Sequence, residues 1–166
     1  KAIQSFYKIV SRKQVEQISQ VDYKANILIT LCSLLASIVG SIFLVQYEMY
    51  KEFTPAVIIL TLFSVTSIFL SMLVIVSPTC PKTEEEQTDM SVINFNRFSK
   101  LDLKSYRKAV KKTLKSEDRT YEALNDDLYY TGKILKQKYM FIGWAYRVFL
   151  SGIIIAFLWG LFTKVI

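Results

Sequence analysis

The stretch ANILITLCSLLASIVGSIFLVQY, from Ala25 to Tyr47, contains no charged residue, and its length decides the fold. At about 1.5 Å of rise per helical residue it crosses roughly 30 Å of hydrocarbon. Helices on the surface of a soluble domain keep one polar face, and this run has none that is charged. A second uncharged stretch, Thr54 to Ser77, follows a short polar hairpin, and a third, Tyr139 to Thr163, carries Arg147 alone. That arginine falls near one end, where its stem can snorkel toward the headgroups, so it does not veto the span. Every backbone polar group must be satisfied inside a bilayer, and long helices do this. The sequence therefore predicts an all-α membrane protein with three transmembrane helices.

Orientation follows from the basic residues, which stay on the cytoplasmic side during insertion. Lys1, Lys8, Arg12, Lys13 and Lys24 precede the first span, and the segment from Lys82 to Lys138 is rich in Lys and Arg. The hairpin from Glu48 to Phe53 offers only Lys51. This asymmetry predicts an N-in, C-out topology with four segments. Residues 1–24 form a cytoplasmic amphipathic helix, 25–77 a transmembrane hairpin, 78–138 a cytoplasmic loop and helices, and 139–166 the third transmembrane helix. Most of the formal net charge of +7 then lies in the cytoplasmic part. Cys32 falls inside the first span and Cys80 in the cytoplasmic loop, at different levels, so no disulfide joins them. The first apolar run is too long for a cleavable signal peptide, lacks a small-residue cleavage site and is expected to stay in the mature chain.

Outside the spans the pattern remains helical. Ile3, Tyr7, Val10, Ile18, Val21, Ala25 and Leu28 share one face of a helix that runs into the first span. Pro78 and Pro81 bracket the exit of the second span, and the polar stretch from Lys82 to Met90, with Glu84, Glu85 and Glu86, reads as a loop. From Leu103 a helix resumes, with Tyr106, Val110 and Leu114 on one side and Lys104, Arg107, Lys108, Lys111, Lys112 and Lys115 on the rest. Ser116 is a candidate N-cap for the next helix. Tyr121, Leu124, Leu128, Leu135 and Ile142 then step in threes and fours into the third span with no proline between them. This predicts one helix from about Glu117 to Lys164, roughly 70 Å long. Its cytoplasmic half forms a stalk packed on the N-terminal and 102–115 helices, in the manner of a coiled coil.

Three groups of residues are candidates for function. Gly152, Ala156 and Gly160 in the third span, and Ser33, Ser37 and Ser41 beside Gly40 in the first, align small side chains that favour close helix packing within or between subunits. Ser64, Ser67 and Ser71 put hydroxyls on one side of the second span; they either line a water-filled pore or bond to helix backbone, the commoner use. At the cytoplasmic mouth, Asp22, Lys24 and Asn26 lie level with Lys138, Tyr139 and Arg147. Asp22 should pair with Lys138 or Arg147, fixing helix register or acting as a gate. On the stalk, Asn125, Asp126 and Asp127 adjoin Tyr129 and Tyr130. The acids either pair with neighbouring lysines or form a ligand pocket in which carboxylates and amides accept hydrogen bonds from nucleobases and tyrosines stack on them. The chain has no histidine, P-loop or Gly-rich dinucleotide motif, so no catalytic residue, metal site or cofactor is expected.

Three stretches together resemble a known family. They are Asp22-Tyr23-Lys24-Ala25 at the mouth of the first span and Phe95-Asn96-Arg97-Phe98 ahead of the Leu103 helix. The third and most specific comprises Tyr121-Glu122, Asp126-Asp127, Tyr129, Gly132, Leu135, Lys138-Tyr139, Ala145-Tyr146, Phe149 and Gly152. In order and spacing they are similar to the Pycsar effector-like (PycTM-type) transmembrane effectors of bacterial anti-phage nucleotide signalling. The resemblance implies a multi-pass protein of the bacterial inner membrane that forms a homo-oligomer, permeabilises the bilayer and ends growth of the infected cell. It implies control by a signalling nucleotide from a partner cyclase, or by a short DNA oligomer that a partner nucleotidyltransferase makes to hold the effector inactive. Some relatives carry a cyclic-nucleotide-binding or phosphohydrolase domain, which this chain does not show, so sensing would fall to the helical cytoplasmic part or to residues outside this sequence. The competing expectation is a non-conducting anchor whose stalk binds a protein or anionic lipid. A transporter is disfavoured, because the three spans show no internal repeat and no paired charges at mid-membrane.

Overall fold

A computed structural model describes residues 2–76 and 101–165. The Lys82–Met90 loop, Cys80, both loop prolines and the Phe95–Phe98 motif lie outside the described residues. Five α-helices make up the rest: α1 (Ala2–Val45), α2 (Tyr47–Tyr50), α3 (Thr54–Ile75), α4 (Leu103–Thr113) and α5 (Glu117–Val165), with a 3-10 turn at Lys51–Phe53 between α2 and α3. The amphipathic start of the chain and the first span are thus one helix, and the last helix runs unbroken from the polar segment through the third span. Pro55 in the first turn of α3 sits where its missing N–H costs nothing. Three helices are long and apolar enough to cross a membrane: α1, α3 and α5, with peak mean hydropathies of 2.5, 2.5 and 1.9. Only 11%, 22% and 22% of those apolar windows are buried within the chain. Water would not tolerate so much exposed apolar surface; lipid requires it.

The chain divides into two compact units. Of the described residues, one holds 2–18 and 101–136. Within it, Gln14 Nε2 donates to the Leu128 carbonyl at 3.1 Å, and the rings of Tyr7 and Tyr121 stack with centroids 5.5 Å apart. Asp102 caps α4, accepting from the backbone N–H groups of Lys104 and Ser105 at 3.1 and 3.3 Å. The Ser105 side-chain and backbone hydrogen bonds hold its carboxyl below the usual carboxylate range. The α4–α5 joint is tied by Thr120 Oγ1, which donates to the carbonyls of Thr113 and Ser116 at 3.1 and 3.0 Å.

The second unit holds the described residues 19–76 and 137–165, and its core is a seam between the three spans. Val21, Ala25, Leu28 and Cys32 of α1 are fully buried, at the four- and three-residue steps that keep one helix face inward. On α5 the buried set is Lys138, Ile142, Ala145, Phe149 and Gly152, again in alternating steps of four and three. On α3 it is Ala56, Ser64, Ser67, Ser71 and Val74. Small residues at these positions bring the backbones together, which is how helices associate where lipid tails are as apolar as leucine.

Candidate functional site

The charged pair of the second unit forms within its seam. Lys138 Nζ lies 2.6 Å from Asp22 Oδ1, with the lysine 2% exposed and the aspartate part-buried. Lys138 keeps step with Ile142 and Ala145, so α5 turns it inward onto α1. Arg147 does not keep that step. Its side chain is exposed and lies over the Trp144 ring, with Cζ 5.2 Å from the centroid. Lys24 is also exposed. Of the four charged residues at the mouth, the structure joins Asp22 with Lys138 and leaves Lys24 and Arg147 on outer faces.

The serines of the second span face the seam. Ser64, Ser67 and Ser71 are at most 1% exposed, and Ser67 Oγ donates to the Ala145 carbonyl at 2.9 Å. In this arrangement they pack α3 within the unit. Ser64 and Ser71 Oγ have no hydrogen-bond partner among the described residues. Ser64→Ala is therefore expected to leave the unfolding free energy in mixed micelles unchanged or raised. Ser67→Ala should lower it by about 1 kcal/mol, because it leaves a carbonyl at the helix contact without its second donor. Equal losses from both would show that Ser64 has a partner the structure does not give it.

The glycines of α5 are also used inside the unit. A Cβ on Gly152 would overlap the Cβ of Phe63 and lie 2.8 Å from its Cγ. Gly160 meets the Phe53 ring, 3.6 Å from where a Cβ would stand, and Ala156 is partly exposed. The face along Gly152 and Gly160 receives α3 and the turn before it.

The first span carries the polar face that the residue pattern alone did not rank. Asn26, Thr30, Ser33, Ser37 and Ser41 are all exposed, and their spacing puts them along one side of α1, turned away from buried Val21, Ala25, Leu28 and Cys32. Thr30 and Ser41 hydroxyls donate to the carbonyls four residues back, at 2.9 and 2.7 Å.

In the first unit, Asn125 Oδ1 accepts from the Tyr7 hydroxyl at 2.9 Å. Asp126 is exposed, whereas Asp127 is half-buried and burial raises its carboxyl above the usual carboxylate range. Tyr129 packs edge-on against Tyr130 with Lys133 Nζ 4.6 Å from its ring centre. Successive helical residues diverge by about 100°, so Asn125, Asp126 and Asp127 do not converge on one point. Among the described residues of this unit, a dense basic surface lies on α4. Lys104, Arg107, Lys108 and Lys111 are exposed along one side of it, and Lys104, Ser105, Arg107, Lys108 and Lys111 line a shallow, open groove.

The chain matches the family model described as the Pycsar effector protein domain over residues 7–164. No curated protein and no solved structure matches it significantly.

Proposed function

The chain belongs to the Pycsar effector protein family, and from that premise we propose that it is an anti-phage effector of the bacterial inner membrane whose copies assemble into an ion-permeable pathway. A nucleotide or short oligonucleotide from a partner enzyme gates it. The observation that carries this reading is the exposed stripe of Asn26, Thr30, Ser33, Ser37 and Ser41 on α1. Thr30 and Ser41 bond to their own helix, but lipid gives the Asn26 amide and the Ser33 and Ser37 hydroxyls nothing to bond to, whereas water in a lumen between copies does. The basic side of α4 supports the ligand class, since clustered lysines attract phosphates at long range and lose that attraction as salt rises. Asp126 and Tyr130, four residues apart on one side of α5, are the residues proposed to meet the base.

The test is ion flux from liposomes holding the purified chain, against a Ser37→Leu variant and across a panel of cyclic nucleotides and short DNA oligomers. Ser37 faces outward, so leucine there spares the seam while filling the polar stripe. Flux that the parent supports and the variant loses by at least about tenfold upholds a lumen walled by α1. Equal flux moves the lumen to another face. A parent that is silent with and without every nucleotide is the non-conducting anchor, its α4 lysines serving anionic lipid or a partner protein.

A further inference from the structure

We infer that Arg147 holds a lipid phosphate drawn below the headgroup plane, in the leaflet at the Lys138 end of the spans. Arg147 is the lone charged residue between Tyr139 and Thr163, and the runs Ala25–Tyr47 and Thr54–Ser77 contain none. A guanidinium cannot shed its charge, so in hydrocarbon it needs a counter-charge. Asp22, the acid just before the first span, is engaged by Lys138. The contact that the described residues give Arg147 is with the Trp144 ring, which supplies a π face and no charge. A second copy cannot neutralise it at that depth either, because every copy brings the same acid-free spans. The counter-charge must be an anion from outside the protein: a phosphate, either of a lipid or free in water.

Three features select the lipid. Arg147 stands nine residues beyond Lys138, about 13 Å along the helix, which keeps it on the near side of the bilayer midplane. Helical side chains lean toward the N-terminal end of their helix, and on α5 that is toward the same leaflet. Trp144, one turn closer to that leaflet, is the residue type that settles at headgroup level. Gly143, four residues before Arg147 and on the same side of the helix, leaves a notch, since a Cβ placed there meets nothing within 4 Å. A phosphate seated over Gly143 can take the two-pronged guanidinium contact, the bilayer thinning locally to let it descend. Phosphatidylglycerol should be preferred to phosphatidylcholine, whose ammonium the arginine repels.

Trp144 reports on the site directly. The chain has two tryptophans, so Trp159→Phe leaves Trp144 as the single indole. The full chain carrying that change is reconstituted in phosphatidylcholine vesicles doped with phosphatidylglycerol or phosphatidylcholine brominated high on the acyl chain. At equal mole fraction, brominated phosphatidylglycerol should occupy the site beside Trp144 about fivefold more effectively. Arg147→Gln should erase that preference, and so should Gly143→Leu, which fills the notch but keeps the charge. Inorganic phosphate in the buffer should leave it unchanged. Equal quenching by the two lipids in the parent overturns the inference without reference to any variant. So does a preference that survives both substitutions, and so does one abolished by inorganic phosphate, which would make the ligand a free anion. None of these outcomes depends on whether the protein conducts ions.

Discussion

Asp22→Ala is expected to lower the unfolding free energy of the membrane-spanning unit by about 3–5 kcal/mol, the cost of leaving a buried charge without its partner. Lys138 is 2% exposed and its ammonium sits 2.6 Å from the Asp22 carboxylate. With the acid gone, the ammonium has neither water nor a counter-ion and must drag α5 outward to find them. The reverse change is milder, because the Asp22 side chain keeps 32% of its exposure and can turn to solvent after Lys138→Met. The double variant should recover most of the loss, since an apolar pair of similar volume often equals or betters a buried ion pair. A cycle of the two singles and the double in mixed micelles measures the coupling. Singles that each cost under about 1 kcal/mol would place the pair in water, where bridges contribute little. Ion flux separates register from gating: if Asp22→Asn alters neither assembly nor flux, both roles are lost.

The three spans were legible because charge-free length needs no knowledge of tertiary structure, and the unbroken α5 because no proline interrupts Glu117–Val165. What periodicity did not reveal was which side of each span turns inward. Ser33, Ser37 and Ser41 on α1 and Ser64, Ser67 and Ser71 on α3 have nearly the same helical spacing, yet the first set is exposed and the second buried. In water the apolar face identifies itself as the inner one. In lipid it does not, and the choice falls to fit between surfaces, here the Phe63 ring against Gly152. The partner of Asp22 was decidable in principle. Leu135, Lys138, Ile142, Ala145 and Phe149 continue the stalk's steps of three and four, and Arg147 breaks them, so the inward residue at the mouth was Lys138. The Asn125–Asp127 cluster spreads around α5, because neighbours in a helical sequence point in different directions.

Gly152→Leu should be the most damaging of the small-residue substitutions, and for a reason internal to one subunit. Even a methyl group at this position overlaps Phe63 Cβ, an atom fixed to the α3 backbone, so no rotamer of Phe63 relieves it. Overpacking of a well-fitted contact costs about 1–3 kcal/mol, and a whole leucine against a neighbour that cannot yield belongs at or above the top of that range. Gly160→Ala meets only the edge of the Phe53 ring at 3.6 Å, an ordinary contact, and Gly143→Ala meets open space; both should stay within about 0.5 kcal/mol of the parent. Phe63→Gly beneath Gly152→Leu removes the clashing Cβ together with the ring, so the double variant should be more stable than the sum of the singles, with a coupling of at least about 1 kcal/mol. Strict additivity would mean that Gly152 and Phe63 are not in contact. The consequence reaches function as well. A loss of ion flux in Gly152→Leu reports that α3 and α5 have separated within a subunit, and flux can be attributed to assembly only when it is lost through an outward residue, such as Ser37, whose replacement leaves that contact intact.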